Sequence, residues 1–249
     1  MLILLPPSET KRDGGDAGAP LDLGALSFPA LTRQRRAALA GLRAVSRTID
    51  GSMSALKLGT TQRFEIDRNR SISKSATMPA VDRYTGVLYD ALDVASLDTA
   101  AREFVDAHVI IHSALFGLVR ADDRLPAYRF SHDSRIPGTS LARLWTIANA
   151  AALESVAGEH PLILDLRSES YVHLGAAPAH SVFLRVVTEG AGGVRRALNH
   201  FNKHGKGEFV RLLAEAGRDF ASIDDLIAWA PTVGLRLEPG EPGELLLVV

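Results

Sequence analysis

Three times in this chain a short apolar run gives way to residues that can bind or catalyse. Residues 2–5 lead into Ser8, Glu9, Thr10 and Lys11, residues 108–111 into Ser113, Gly117 and Arg120, and residues 162–166 through Asp165 to Arg167, Glu169 and Tyr171. If the runs are inner strands of a sheet, these side chains meet at its carboxyl edge, where open α/β sheets bind ligands. Such a pocket would use a carboxylate (Glu9, Asp165 or Glu169) as general base, with Ser113 as a further catalytic candidate and arginines clamping an anionic substrate. The plainer alternative is a set of polar loops between elements.

Cations are grouped twice. In residues 120–138, Arg120, Arg124, Arg129 and Arg135 lie on a path constrained by Pro126 and Pro137, and guanidinium forks on such a loop suit phosphates or carboxylates. Their ordinary partners would be Asp122, Asp123 and Asp133 of the same loop. Residues 194–207 carry Arg195, Arg196, His200, Lys203, His204 and Lys206. Helical spacing puts Lys203 and Lys206 on one side, suited to phosphate contacts that position a nucleic acid without reading its sequence. A solvated basic helix has the same pattern.

Other chemistries fit poorly. There is no cysteine, so disulfides, thiolate metal sites and sulfur redox are excluded. Neither a P-loop nor a dinucleotide fingerprint is present: Gly190-Ala191-Gly192-Gly193 lacks the third glycine at the required spacing. Ser140, in Gly138-Thr139-Ser140-Leu141-Ala142, follows a proline-containing loop and reads as a helix cap, not as a nucleophile on a strand-to-helix turn. His108 and His112, taken as strand residues, would stand roughly 13 Å apart, and His200 and His204 lie among cations, so no metal is expected. No cofactor is expected either.

The elements that must position these residues follow from pattern. Residues 2–5, 108–111 and 162–166 read as inner strands. Residues 31–45 have apolar residues at helical spacing with Arg33, Arg35, Arg36 and Arg43 between them, a surface helix whose basic face solvent would ordinarily cover. Residues 54–70 read as a short helix broken at Gly59, and Tyr84-Thr85-Gly86 places a glycine where packing is close or a ligand needs room. Helices are expected over 99–107, 140–156, 208–216 and 224–230, the last capped by Ser222. A strand over 181–187 with a turn at 190–193, and an edge hairpin from 235–237 and 245–249, complete the chain. The net charge is −1, with 46% hydrophobic and 23% charged residues, an ordinary globular balance that argues against a wholesale nucleic-acid coat. The opening MLILL is far shorter than a signal-peptide core and no run has membrane-spanning length, so the expectation is a cytosolic (cytoplasmic) protein without membrane contact.

With these segments in order, the chain resembles the YaaA family of peroxide-stress proteins from its first residue nearly to its last. The resemblance is carried by MLILLPPSETK, by Tyr84-Thr85-Gly86, and by residues 113–120 with Pro126-Ala127-Tyr128-Arg129. Leu144-Trp145, residues 164–171 and Lys203-His204-Gly205-Lys206-Gly207 extend it. It implies a single domain over residues 1–249 of mixed α/β (α+β) architecture, with a central mixed β-sheet flanked by helices and a helix-hairpin-helix-like element. It also implies affinity for duplex DNA without strong sequence preference, and protection during hydrogen peroxide stress by limiting free iron and its damage to DNA. Lys11, Arg120, Arg129, Lys203, His204 and Lys206 would line a DNA- or anion-binding cleft, with Ser8, Thr10, Tyr84, Thr85, Gly86, Gly117 and Tyr171 in its walls. Two departures stand out. Glu9 and His204 replace family lysines, which predicts a less basic cleft that titrates near neutral pH, and Thr60 follows Gly59 where an apolar residue would lock the hairpin. The leading expectation is a non-enzymatic DNA-binding stress protein. The runner-up is an enzyme acting on a small phosphate- or carboxylate-bearing metabolite in the strand-end pocket.

Overall fold

Leu2, Ile3, Leu4 and Leu5 are all completely buried, which an extended segment achieves only with a strand on each side and a layer on each face. They form β1 (Leu2–Leu5), parallel to β3 (Val109–Ser113) on one side and to β6 (Ile163–Asp165) on the other. The computed structural model describes residues 1–189, 195–197 and 201–249, and among them the architecture is mixed α/β. Beyond β6 the sheet continues in parallel through β7 (Ser181–Glu189) and β10 (Glu244–Val248). Antiparallel strands close both ends: β4 (Gly117–Arg120) returns beside β3, and β9 (Arg236–Pro239) returns beside β10. A short β8 (Arg195–Ala197) pairs with the far end of β7, while β2 (Thr77–Pro79) and β5 (Arg124–Pro126) make a separate two-stranded ladder. The expected turn at 190–193 and His200 of the basic cluster lie outside the described residues.

Helices cover the sheet. They are α1 (Thr32–Val45), α2 (Ile49–Ala55), α3 (Phe64–Ser71), α4 (Ala80–Arg83), α5 (Val87–Leu92), α6 (Thr99–His108), α7 (Leu141–Ala157), α8 (Glu169–Val172), α9 (Phe201–Ala216) and α10 (Ile223–Trp229). Local chemistry starts several of them. The Thr48, Asp98, Ser140 and Ser222 side chains each accept a first-turn N–H, satisfying a donor that the helix itself cannot. One buried hydrophobic cluster extends from Met1 to Leu247. No helix among the described residues is long and apolar enough to cross a membrane.

Several local expectations change. The helix expected over 208–216 begins at Phe201 and that expected to end at Ala107 extends to His108, so His108 closes a helix instead of opening a strand; its Nδ1 lies 2.8 Å from the Met1 carbonyl. Of the basic cluster of residues 194–207, Arg195 and Arg196 lie in β8 and Lys203, His204 and Lys206 in α9. Arg35 does not share the solvated face of α1. It is fully buried and donates to the carbonyls of Phe116 at 2.8 Å, Ser27 at 2.6 Å and Leu118 at 2.7 Å. In the 120–138 loop the arginines bypass the loop's own aspartates. Arg124 lies 3.7 Å from Asp16, Arg129 pairs with Glu9, and Asp123 accepts from the Ser27 and Arg120 N–H groups at 2.9 Å.

Candidate functional site

The strand order runs from β1 to β3 on one side and later to β6 on the other, so the chain reverses its direction of travel across the sheet at β1. Ligands of open α/β sheets bind in the crevice beyond the carboxyl ends at such a point. The residues following β1, β3 and β6 meet there.

Pro6 and Pro7 end β1, and the chain then forms a single antiparallel bridge between Lys11 and Tyr84. This lays Ser8, Thr10 and Lys11 against Tyr84, Thr85 and Gly86. Thr10 Oγ1 donates to the Thr85 carbonyl at 3.1 Å and lies 3.2 Å from Ser8 Oγ. Gly86 has φ +100°, and a Cβ there would stand 3.2 Å from Ser8 Oγ and 3.3 Å from Thr10 Oγ1, so both backbone angle and space favour glycine. Buried Arg83 fixes the next stretch. Its guanidinium donates to the carbonyls of Arg12, of Leu125 and Ala76 at 3.0 Å, and of Gly14 at 3.1 Å.

Lys11 is only 6% exposed. Its Nζ donates to the Glu9 carbonyl at 3.1 Å and lies 4.0 Å from the centre of the Tyr128 ring and 5.5 Å from that of Tyr84. Burial, followed by the nearby Arg129 guanidinium, pulls its pKa down to about 7. Behind the amine the Tyr84 and Tyr128 hydroxyls are 2.7 Å apart, and Tyr128 is 2.7 Å from Ser113 Oγ. Ser113 Oγ accepts from the Leu115 and Phe116 N–H groups, both at 3.1 Å. With both lone pairs used, its own proton points to Tyr128. Burial raises the Tyr128 hydroxyl to about 12, so this is a neutral hydroxyl chain. Ser113 is thereby held by groups within the protein interior.

Arg129 is ion-paired to the Glu9 carboxylate. Its backbone is gripped by Asn69 of α3, which accepts from the Arg129 N–H and donates to the Arg129 carbonyl, both at 2.9 Å. Glu65 and Arg68 of α3, paired at 3.1 Å, add charge around Lys11. Ser8, Glu9, Thr10, Lys11, Tyr84, Thr85, Gly86, Ser113 and Arg129 are therefore one constellation.

The other expected residues divide. Asp165 is bound to Arg167 at 2.6 Å and both are buried, leaving it no freedom as a base. Arg167 Nη1 lies 2.9 Å from His112 Nδ1, and burial with that cation holds the imidazole well below its usual pKa. Tyr171 is buried with its ring set edgewise to His112 and His132 at 5.6 and 5.4 Å. Glu169 is exposed, 3.6 Å from Arg185. Lys206 faces inward and donates to the Leu166 carbonyl at 3.0 Å, its pKa lowered to about 8 by burial. Lys203 and His204 are exposed, with His204 3.1 Å from Glu208; the two lysines are therefore not one basic surface. Gly117 (φ +67°) is a packing position, since a Cβ would meet Trp145 at 2.6 Å. Arg120 stands at the opposite end of the sheet: it is registered with Ile110 and donates to the Ala107 carbonyl at 3.2 Å.

Tyr128, Asn69 and Glu65 join these networks without having been proposed as site residues, whereas Arg167 was expected at the end of its strand and is bound there to Asp165. Tyr128 was legible as the neighbour of Arg129 in Pro126-Ala127-Tyr128-Arg129, whereas an Asn within a short charged helix carries no such signal. Among the described residues no group of three His, Cys, Asp or Glu side chains is arranged to hold a metal ion.

Cations at the surface lie elsewhere. Residues 32–76 contain ten Lys or Arg against three Asp or Glu, a local +7 within a chain of −1. Arg33, Arg36, Arg43 and Arg47 are exposed; the first three fall within about 80° of one another around the α1 axis, and Arg47 follows in the turn after the helix. Arg43 reaches Ser73, and Arg70 donates to the carbonyls of Ser46 at 2.8 Å and Arg47 at 3.1 Å, so the stripe continues onto the end of α3 beside Lys74.

Comparison with known proteins finds similarity along the whole chain. A UPF0246 protein of Corynebacterium glutamicum strain R is 41% identical over 256 aligned residues, covering all of both chains. One of Corynebacterium efficiens is 42% identical over 257, again with full coverage of both. One of Streptomyces coelicolor is 37% identical over 250, covering 98% of this chain and 94% of its own. The family model described as peroxide stress protein YaaA matches residues 1–239, and the chain belongs to that family.

Proposed function

We propose that this member of the peroxide-stress family binds duplex DNA through the outer face of α1 and the adjoining end of α3, and that it limits iron-dependent oxidative damage through the DNA it covers. The observation that carries this reading is the arginine stripe. Arg33, Arg36 and Arg47 have no side-chain partner among the described residues, and the helical part of the stripe, from Arg33 to Arg43, extends for about 15 Å at 1.5 Å per residue. A duplex presents one phosphate charge per about 1.7 Å of axis, so several arginines can be engaged at once. The cations of the carboxyl-edge constellation support a different task, because Lys11, Arg129 and Lys206 are buried against protein groups and duplex phosphates cannot reach them.

The cations on this surface are long, separate side chains on a helix, a pattern that binds phosphate without selecting sequence. Fluorescence anisotropy of a labelled duplex across a salt series tests the reading. Replacing Arg36, Arg43 and Arg47 together with Ala should weaken binding and flatten the dependence of log K on log salt by roughly 0.9 for each phosphate that is no longer neutralised. Unchanged affinity and slope would remove this surface from DNA binding.

A further inference from the structure

Glu9 occupies two cations at once. Its main-chain carbonyl accepts from Lys11 Nζ at 3.1 Å and its carboxylate pairs with Arg129. The cations are interior, Lys11 at 6% exposure and the Arg129 side chain at 9%, whereas the Glu9 side chain is 55% exposed. The acidic partner is therefore the one free to leave. We propose that Glu9 stands in for a ligand, and that Lys11 and Arg129 form the binding site of a small oxo acid whose carboxylate takes the place of Glu9 on Arg129 and whose carbonyl carbon is attacked by the Lys11 amine.

The surroundings fit this chemistry. The amine rests over the face of Tyr128 at 4.0 Å, with Tyr84 beyond, and its burial together with the nearby Arg129 cation favours a neutral amine over an ammonium ion. With its pKa at about 7, a large share of Lys11 is unprotonated at neutral pH, the state a nucleophilic lysine needs. Arg129 is held in place by the two Asn69 hydrogen bonds, so the carboxylate-binding fork is preorganised. The product is an imine. A carbon–nitrogen double bond replaces the carbonyl, and the two amine hydrogens leave with the carbonyl oxygen as one water, so no oxidant or other reactant is consumed. Glu9, Lys11 and Arg129 are none of the stripe's arginines, and the test reads covalent trapping instead of DNA binding.

The test is reductive trapping on the full chain, with 2-oxoglutarate and pyruvate as probes, sodium borohydride as trap and peptide mass mapping as readout. One probe-sized adduct is expected on the peptide containing Lys11, with loss of that adduct in Lys11→Arg. Glu9→Gln changes an exposed side chain and removes the competing carboxylate, so at sub-saturating probe it should raise the trapped fraction several-fold. Circular dichroism of each variant reports that the fold is intact. The proposal is overturned by an unmodified Lys11 peptide in the wild-type chain, by modification spread over Lys57, Lys74 and Lys203, by an adduct on Lys206 alone, or by a Glu9→Gln variant that traps no more probe than wild type.

Discussion

Asn69 holds Arg129 by its backbone: the side-chain amide of a completely buried α3 residue closes a pair of 2.9 Å hydrogen bonds on the Arg129 N–H and carbonyl. The pair links the helix bearing Glu65 and Arg68 to the segment bearing Tyr128 and Arg129. Asn69→Ala leaves two buried backbone groups without partners, each costing about 1–3 kcal/mol. The expected loss is about 2–6 kcal/mol, seen as a lower midpoint in urea denaturation with little change in slope.

Lys11 makes stability depend on pH. Its folded pKa, about 7, lies below the ordinary 10.5, so between those values the unfolded chain holds a proton that the folded chain has released. Stability therefore rises with pH across that window, and the cost of burying the charge is fully present below about pH 7. Relative to Lys11→Met, the wild-type chain should gain on the order of 2 kcal/mol between pH 7 and 9, at about 1.4 kcal/mol per unit. Parallel urea titrations of the two proteins at several pH values check this, and identical pH profiles would contradict it.

Asp165 and Arg167 form a buried pair in which two guanidinium nitrogens meet the two carboxylate oxygens at 2.9 and 2.6 Å. Asp165→Ala strands the cation beside His112, and breaking such a pair costs roughly 3–5 kcal/mol. The loss should appear as a large fall in thermal midpoint. A mild effect would mean that Arg167 finds another acceptor.

Lys203 and Lys206 separate surface from interior on one helix. Lys203→Ala should change neither thermal midpoint nor duplex affinity by a measurable amount, whereas Lys206→Ala should lower the midpoint, because its ammonium ties α9 to the carbonyl of Leu166 after β6. If Lys206→Ala instead weakened duplex binding while leaving stability unchanged, the inward placement of this side chain would be contradicted.

Much of the fold was readable because it is local. The apolar Leu2–Leu5 run ending in two prolines, the Ser140 and Ser222 caps and the final hairpin all follow from neighbouring residues. The convergence of residues 8–11 and 113 was legible through the rule that ligands gather at strand carboxyl ends, whereas residues 84–86 and 129 were expected beside them only from the family resemblance. Arg120 was not, because the turn after Ser113 sends β4 backwards and carries Arg120 to the other end of the sheet. Arg35 and Lys206 have the sequence surroundings of surface cations. Their burial is decided by carbonyls delivered from residues far away in the chain, at Phe116, Leu118 and Leu166, which no periodicity reports.

Buried Arg35 has a mechanical consequence for the helix that carries it. One guanidinium catches carbonyls from the segment before α1 and from both sides of the β3–β4 return, acting as a rivet between α1 and the sheet. The outer arginines are therefore carried on a fixed axis, and a rod-shaped polyanion lying along them would meet a stiff rail whose orientation is set from inside the molecule.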